Sequence, residues 1–188
     1  MKTIIIVGMP ASGKNIARNY AEAKGFPYFA TGDLVRKEVQ KRGLDPTPAN
    51  TARLSTELRG EDGLGVTRLA LAKAADSVGT LVFMEGMRSW PEIELVRQKA
   101  EATLVAFIAP KKIRLERVAA RGRSDDSPEM FMERDMREIA YGAAVPIALA
   151  DEYILNANTV GESVAALDEI IKKYYGDGEA MNSRIESK

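Results

Sequence analysis

The residues best suited to chemistry stand near the front of the chain. Gly8-Met9-Pro10-Ala11-Ser12-Gly13-Lys14-Asn15 has two glycines and a lysine at the spacing of a phosphate-binding loop. Glycines let backbone N–H groups converge on phosphate oxygens, and a following helix adds its N-terminal dipole. Lys14 then puts a point charge where β and γ phosphates would lie. All eight residues are therefore candidate nucleotide contacts, with Lys14 also a catalytic candidate. Asn15 stands where a hydroxyl residue usually reaches Mg²⁺. Its amide oxygen can ligate the same hard cation through a longer side chain, so Asn15 is a candidate metal ligand whose binding is weakened or rearranged.

Composition narrows the remaining chemistry. The 188 residues include no cysteine and no histidine, which excludes disulfides, thiolate metal sites and imidazole as base, nucleophile or ligand. Catalysis must rest on Lys, Arg, Asp, Glu, hydroxyls and the backbone. With 27 basic and 27 acidic residues the formal charge is zero, so no nucleic-acid partner is expected. The apolar run Ile4 to Val7 is far too short to span a membrane and lacks the form of a secretory signal. The expected location is the cytoplasm, with small molecules as partners.

These residues need a scaffold, and the hydrophobic pattern supplies one. Thr3 to Val7 is a short β-branched run ending in Gly8, as in a strand buried on both faces of a parallel sheet. Similar runs recur at Phe26 to Ala30, Leu81 to Met84, Thr103 to Ala109 and Glu152 to Leu155, separated by helix-length segments. That rhythm predicts a doubly wound α/β fold. Pro91 and Pro128 read as first-turn prolines, with Ser127 as an N-cap, and Val160 to Tyr174 carries helical spacing. Between Gly32 and Ser77, three helices broken at Gly43 to Pro48 and Gly60 to Gly65 are too much chain for a simple crossover. Part of that stretch is expected to stand away from the sheet as a flap. The tail from Gly176 to Lys188 is polar.

Three further segments carry a resemblance. Ala30-Thr31-Gly32-Asp33-Leu34-Val35-Arg36 resembles the acceptor-binding signature of adenylate kinases, which implies that Thr31 meets the acceptor and Arg36 its phosphate. Arg121-Gly122-Arg123-Ser124-Asp125-Asp126, followed by Arg134 and Arg137, resembles the lid of these kinases. That implies phosphate-clamping roles for Arg121, Arg123 and Arg134, with Arg117 one helical turn before Arg121. Leu81 to Arg88 resembles the strand and loop that ends in Asp-Gly, here Glu85-Gly86. By that likeness Glu85 holds the metal through water and Arg88 binds the acceptor phosphate. The arginine follows by three residues where these kinases usually use four.

Together with Ala150-Asp151-Glu152-Tyr153-Ile154-Leu155-Asn156, these segments look like an archaeal P-loop kinase family related to adenylate kinase and dephospho-CoA kinase. The resemblance covers roughly residues 1 to 175. It implies one kinase domain of the nucleoside-monophosphate-kinase type with a five-stranded parallel sheet. Residues 32–77 would form the acceptor-binding region and 121–137 a short lid. It further implies donor-adenine contacts at Asn156 to Thr159, and ATP and Mg²⁺ as cofactors.

The expected activity is phosphoryl transfer from ATP to a small phosphate-bearing acceptor, a nucleoside monophosphate first among them. Planar guanidinium groups suit that chemistry because it needs positioning and charge neutralisation more than covalent help. If the acceptor is instead a hydroxyl, as in dephospho-CoA, a base is required and Asp33 is the candidate. A nucleotide sensor with little turnover is the competing class, motivated by Asn15 and Glu85. A GTPase is disfavoured by the lack of an Asn-Lys-x-Asp motif.

Overall fold

β-branched and aliphatic residues in unbroken runs become the centre of a five-stranded, all-parallel sheet. This is a computed structural model, and it describes residues 1–79, 81–121 and 127–176. From the N-terminus the elements are β1 (Lys2–Val7), α1 (Asn15–Lys24), β2 (Tyr28–Ala30), α2 (Thr31–Lys41), α3 (Pro48–Arg59), α4 (Gly65–Ala75) and β3 (Leu81–Glu85). There follow α5 (Trp90–Lys99), β4 (Glu101–Ile108), α6 (Lys111–Arg121), α7 (Pro128–Ala140), α8 (Ala144–Ala148), β5 (Glu152–Leu155) and α9 (Val160–Tyr175).

The sheet order is β2-β3-β1-β4-β5. The chain leaves β1 toward one edge and later returns on its other side, which makes β1 the point where the winding reverses. In an open parallel sheet, ligands bind in the crevice beyond the strand carboxyl ends at that point. The loops after β1, β3 and β5 all open there.

Alternation along the central strands feeds two cores. Ile4, Ile6, Phe83, Val105 and Phe107 face α1 and α9, packing with Tyr20, Leu167 and Ile171. Ile5, Val7, Val82, Met84, Leu104 and Ala106 face the other way, against Ala70, Ile93 and Val96. A small third core of Val35, Val39, Leu54 and Val66 ties α2, α3 and α4 together away from the sheet.

Several boundaries differ from the sequence reading. The second strand shortens to Tyr28–Ala30, because it lies at the sheet edge with β3 as its single neighbour. Its predecessor Pro27 lacks an N–H but still accepts from Phe83 N at 2.8 Å through its carbonyl. The third strand extends to Glu85, so the carboxylate sits on the last residue of a rigid element. Ser89 and Glu92 form a capping box around Pro91 at the start of α5. Among the described residues no helix is long and apolar enough to cross a membrane.

Candidate active site

The loop after β1 is held from behind through its carbonyls. Arg114 Nη1 donates to Pro10 O at 3.0 Å, Arg117 Nη1 to Ala11 O at 3.4 Å, and Asn156 Nδ2 to Ser12 O at 2.9 Å. In a trans peptide the N–H points opposite to the preceding C=O. Tying back the carbonyls of Pro10 and Ser12 therefore turns the amides of Ala11 and Gly13 toward the open side. Among the described residues no side chain caps α1, which leaves its N-terminal dipole facing the same space. Ala11 is held at φ 60°, a left-handed conformation rare for a residue with a Cβ and typical of a functionally constrained turn. Ser12 Oγ, the loop's one hydroxyl, is buried without a hydrogen-bond partner among the described residues.

Gly13 is required at its position for two reasons. Its φ is +101°, and a Cβ there would lie 1.9 Å from Asn156 Nδ2, the atom that tethers Ser12. Gly13→Ala is expected to destabilise the fold by about 1–3 kcal/mol, as forced unfavourable backbone conformations do. It should also weaken ATP binding, which thermal melts with and without nucleotide would measure together.

Lys14 Nζ folds back onto the loop, donating to Gly8 O at 2.8 Å and Met9 O at 3.2 Å. Burial lowers its pKa, Glu85 and Glu138 act against that shift, and Arg88 and Arg114 add to it. Two cavities meet at this residue. One, of about 560 Å³, lies over the loop and is lined by Gly13, Asn15, Arg117, Arg121, Asn156 and Val160 among others. The second, of about 290 Å³, lies on the opposite side and is lined by Gly8, Pro10, Arg18, Thr31, Arg36 and Arg88 among others. Lys14 and Glu85 are the two residues common to both walls.

Glu85 is fixed from the neighbouring strand. Tyr28 Oη donates to Glu85 Oε2 at 2.7 Å, and the Arg18 guanidinium stacks over the Tyr28 ring at 4.7 Å. Burial first, and then the Glu85 charge, push the Tyr28 phenol far above its ordinary pKa, so it remains a donor. Arg18 Nη2 in turn donates to Asp33 Oδ2 at 2.7 Å, and Asp33 Oδ1 accepts from Arg36. A continuous polar chain thus runs from Glu85 through Tyr28, Arg18 and Asp33 to Arg36.

Asp33 is doubly paired, and it lines a separate cavity along the β2 edge instead of either cavity that meets Lys14. Partial burial raises its pKa, but hydrogen bonds and charge from Arg18 and Arg36 outweigh this and hold it below the ordinary value. A depressed folded-state pKa stabilises the fold above the unfolded pKa, roughly 4, and that stabilisation is lost as pH falls through the folded value. The stability difference between wild type and Asp33→Asn should therefore be constant above about pH 5 and narrow below about pH 4. Melting curves across that range read it directly.

Thr31 is the first residue of α2 and is buried, with Oγ1 donating to Gly86 O at 3.2 Å. Arg88 Nε pairs with Glu138 Oε2 at 2.9 Å. Arg121 ends α6 at the wall of the cavity over the loop, whereas Arg134 lines neither cavity. Arg123 and the rest of 122–126 lie outside the described residues, as does the tail beyond 176. Arg117 and Asn156 line the cavity over the loop, but their polar atoms brace the loop. Arg117 Nη2 donates to Asn156 O at 2.9 Å and to Asn156 Oδ1 at 3.2 Å, and Asn156 is 2% exposed.

Four participants are absent from the sequence reading. Arg18, Tyr28 and Glu138 are common residue types whose partners lie far away in the chain. Asp135 is the fourth: it forms a buried bidentate pair with Arg114 at 2.8 and 2.6 Å, joining α7 to α6. An acidic residue one position after Arg134, in an otherwise amphipathic helix, is the only local trace of that pair.

Comparison with known proteins agrees with this geometry. The AAA domain family matches residues 7–131. A UPF0200 protein of Hyperthermus butylicus is 35% identical over 178 residues, spanning 93% of this chain and 96% of its own. One from Methanosarcina mazei is 37% identical over 179 residues with the same coverage. Among solved structures, TT1252 from Thermus thermophilus superposes with a TM-score of 0.65 at 17% identity, covering 92% of this chain and 97% of that one. Shikimate kinase from Bacteroides thetaiotaomicron gives 0.61 at 16% identity, covering 90% and 98%. The fold is thus a P-loop kinase fold, and the chain belongs to the archaeal UPF0200 family.

Proposed function

We propose that this protein is an ATP-dependent phosphotransferase acting on a small phosphate-bearing acceptor. One observation carries the reading: two cavities on opposite sides of the phosphate loop share Lys14 and Glu85 and, among the described residues, no other. A module that merely senses nucleotide needs the first cavity alone. The second is lined by Lys14, Arg18, Arg36 and Arg88 against Glu85 and Glu138, which suits an anionic acceptor. A nucleoside monophosphate is the acceptor class favoured by the Thr31-to-Arg36 segment.

The donor's triphosphate lies along the loop amides, with its base toward Val118, Asn158 and Val160. Lys14, between the cavities, neutralises charge on the phosphoryl group as it moves, and Arg121 approaches from the end of α6. Arg36 and Arg88 orient the acceptor phosphate, which is already anionic and needs no base. Asn15 and Glu85 offer an amide and a carboxylate oxygen to one cavity, a donor set that fits Mg²⁺ completed by water and phosphate oxygens. When bound, the ion supplies charge neutralisation between donor phosphates.

Asp33 speaks for an anionic acceptor over a hydroxyl one. A general base works best with a pKa near the working pH, and Asp33 is held low by two guanidinium partners. The test is ADP release from ATP and Mg²⁺ across nucleoside monophosphates and dephospho-CoA, with Lys14→Ala and Asp33→Asn alongside. Stimulation by a phosphate acceptor that Lys14→Ala abolishes and Asp33→Asn only lowers supports the proposal. Stimulation by dephospho-CoA that Asp33→Asn abolishes assigns hydroxyl transfer. ATP binding without turnover by any acceptor assigns the sensor.

A further inference from the structure

The acceptor-side cavity does not end at Arg88. A larger space of about 590 Å³ continues outward between α2, α3 and α7, sharing Thr31, Gly32, Arg36, Arg88 and Glu138 with the inner one. Among the described residues its charged lining is Arg36, Arg59, Arg88 and Arg137 against the single carboxylate of Glu138. In a chain of zero formal charge, this concentration has no global cause. Like charges gathered around one cavity repel each other unless an anion enters.

The inner arginines already have duties toward one phosphate, but Arg59 and Arg137 line the outer space alone. Arg59 lies 3.9 Å from Glu92 Oε1, beyond hydrogen-bond reach. That carboxylate is committed: Oε1 accepts from Thr67 Oγ1 at 2.9 Å and Oε2 from the Arg88 and Ser89 amides at 2.8 and 3.0 Å. Arg137 is exposed and has no ion-pair partner among the described residues. Tyr141 connects the two ends, with Arg88 Cζ 5.3 Å and Arg59 Cζ 6.0 Å from its ring centroid. The Arg59 and Arg88 guanidinium carbons are therefore no farther apart than these two distances laid end to end, a span that one small metabolite covers.

We infer that the acceptor carries a second anionic group, a phosphate or carboxylate, remote from the phosphate at Lys14 and bound by Arg59 and Arg137. The inference rests on the phosphotransferase reading for the inner site, and it narrows the acceptor to molecules charged at both ends. A bidentate guanidinium partner suits either anion.

Direct binding tests it without turnover. Calorimetric titration compares AMP with adenosine 3′,5′-bisphosphate, and fructose 6-phosphate with fructose 1,6-bisphosphate. The proteins are wild type, the double variant Arg59→Ala/Arg137→Ala, and Lys37→Ala, which removes a charge from the outer face of α2. In wild type at least one bisphosphate should bind about 10-fold tighter than its monophosphate. The double variant should reduce that preference to under about 3-fold while leaving the monophosphate affinity in place, and Lys37→Ala should preserve it. Absence of a preference, its survival in the double variant, or an equal loss in Lys37→Ala overturns the inference. ATP with Mg²⁺ is titrated in parallel: if ATP binds and no bisphosphate is preferred, the second anion fails alone. If ATP itself does not bind, the phosphotransferase reading fails.

Discussion

Lys14→Ala should reduce phosphoryl transfer by roughly 10²–10³-fold or more, the scale on which removal of one preorganised charge-stabilising group acts. The loss should appear in both substrates' parameters, since Lys14 forms part of both cavity walls. Lys14→Arg should not restore activity. The ammonium fits between the carbonyls of Gly8 and Met9 as a compact charge, whereas a planar guanidinium is larger and needs a fork of acceptors. Steady-state rates with each substrate varied in turn, alongside a melting curve to establish that the variant folds, check the expectation. A variant that turns over normally would remove Lys14 from the chemistry.

The largest stability effect is expected at Asp135. Arg114 and Asp135 are both buried, with side chains 8% exposed, and removing one partner of such a pair leaves an uncompensated charge. Asp135→Ala should cost about 3–5 kcal/mol. At roughly 2–4 °C per kcal/mol for a chain of this size, melting should fall by about 6–20 °C. Replacing both by apolar residues, Arg114→Met/Asp135→Leu, should recover much of that stability. It should not recover nucleotide affinity, because Arg114 also holds Pro10 O, and no methionine can replace that donor. Calorimetric melting and ATP titration on the single and double variants separate the two roles. If the double variant binds ATP as wild type does, the tether from Arg114 to the loop is dispensable.

Legibility from the sequence follows the range of each interaction. β1 and the phosphate loop were readable because an unbroken apolar run, two glycines and a lysine are local signals. The helices between Gly32 and Ser77 were readable for the same reason, being bounded by Gly and Pro. Glu85, Thr31, Arg36 and Arg88 entered through resemblance, and they do converge on one cavity system with Lys14. The contacts of the bracing layer were not readable, although Arg117 and Asn156 stand out in the sequence. Arg114 and Asp135 are 21 positions apart, and Ser12 and Asn156 are 144 apart. No spacing rule links such residues, and an arginine or asparagine on a helix or strand end is ordinary by type. Asn156 was expected near the donor base. Its side-chain amide donates to Ser12 O in the loop.

The chain from Glu85 to Arg36 also shows what residue type alone leaves open at Asp33. A carboxylate near a phosphate loop suggests a base, yet its function depends on its partners. Here those partners are Arg18 and Arg36, one on each carboxylate oxygen.

A single ammonium on the shared wall of two cavities has a thermodynamic corollary if each takes an anion, as proposed. Whatever donor occupancy does to acceptor affinity, acceptor occupancy must do to donor affinity by the same factor, because both ligands draw on one charge and close one cycle. When each chamber holds an anion, their mutual repulsion is set against the same Lys14, so the ternary complex is bound less tightly than the two binary complexes together would suggest. Relief of that repulsion would come when one ligand leaves, since transfer itself only moves charge from one chamber to the other. Strong antagonism between non-reacting analogues, equal in both directions, would be its equilibrium signature.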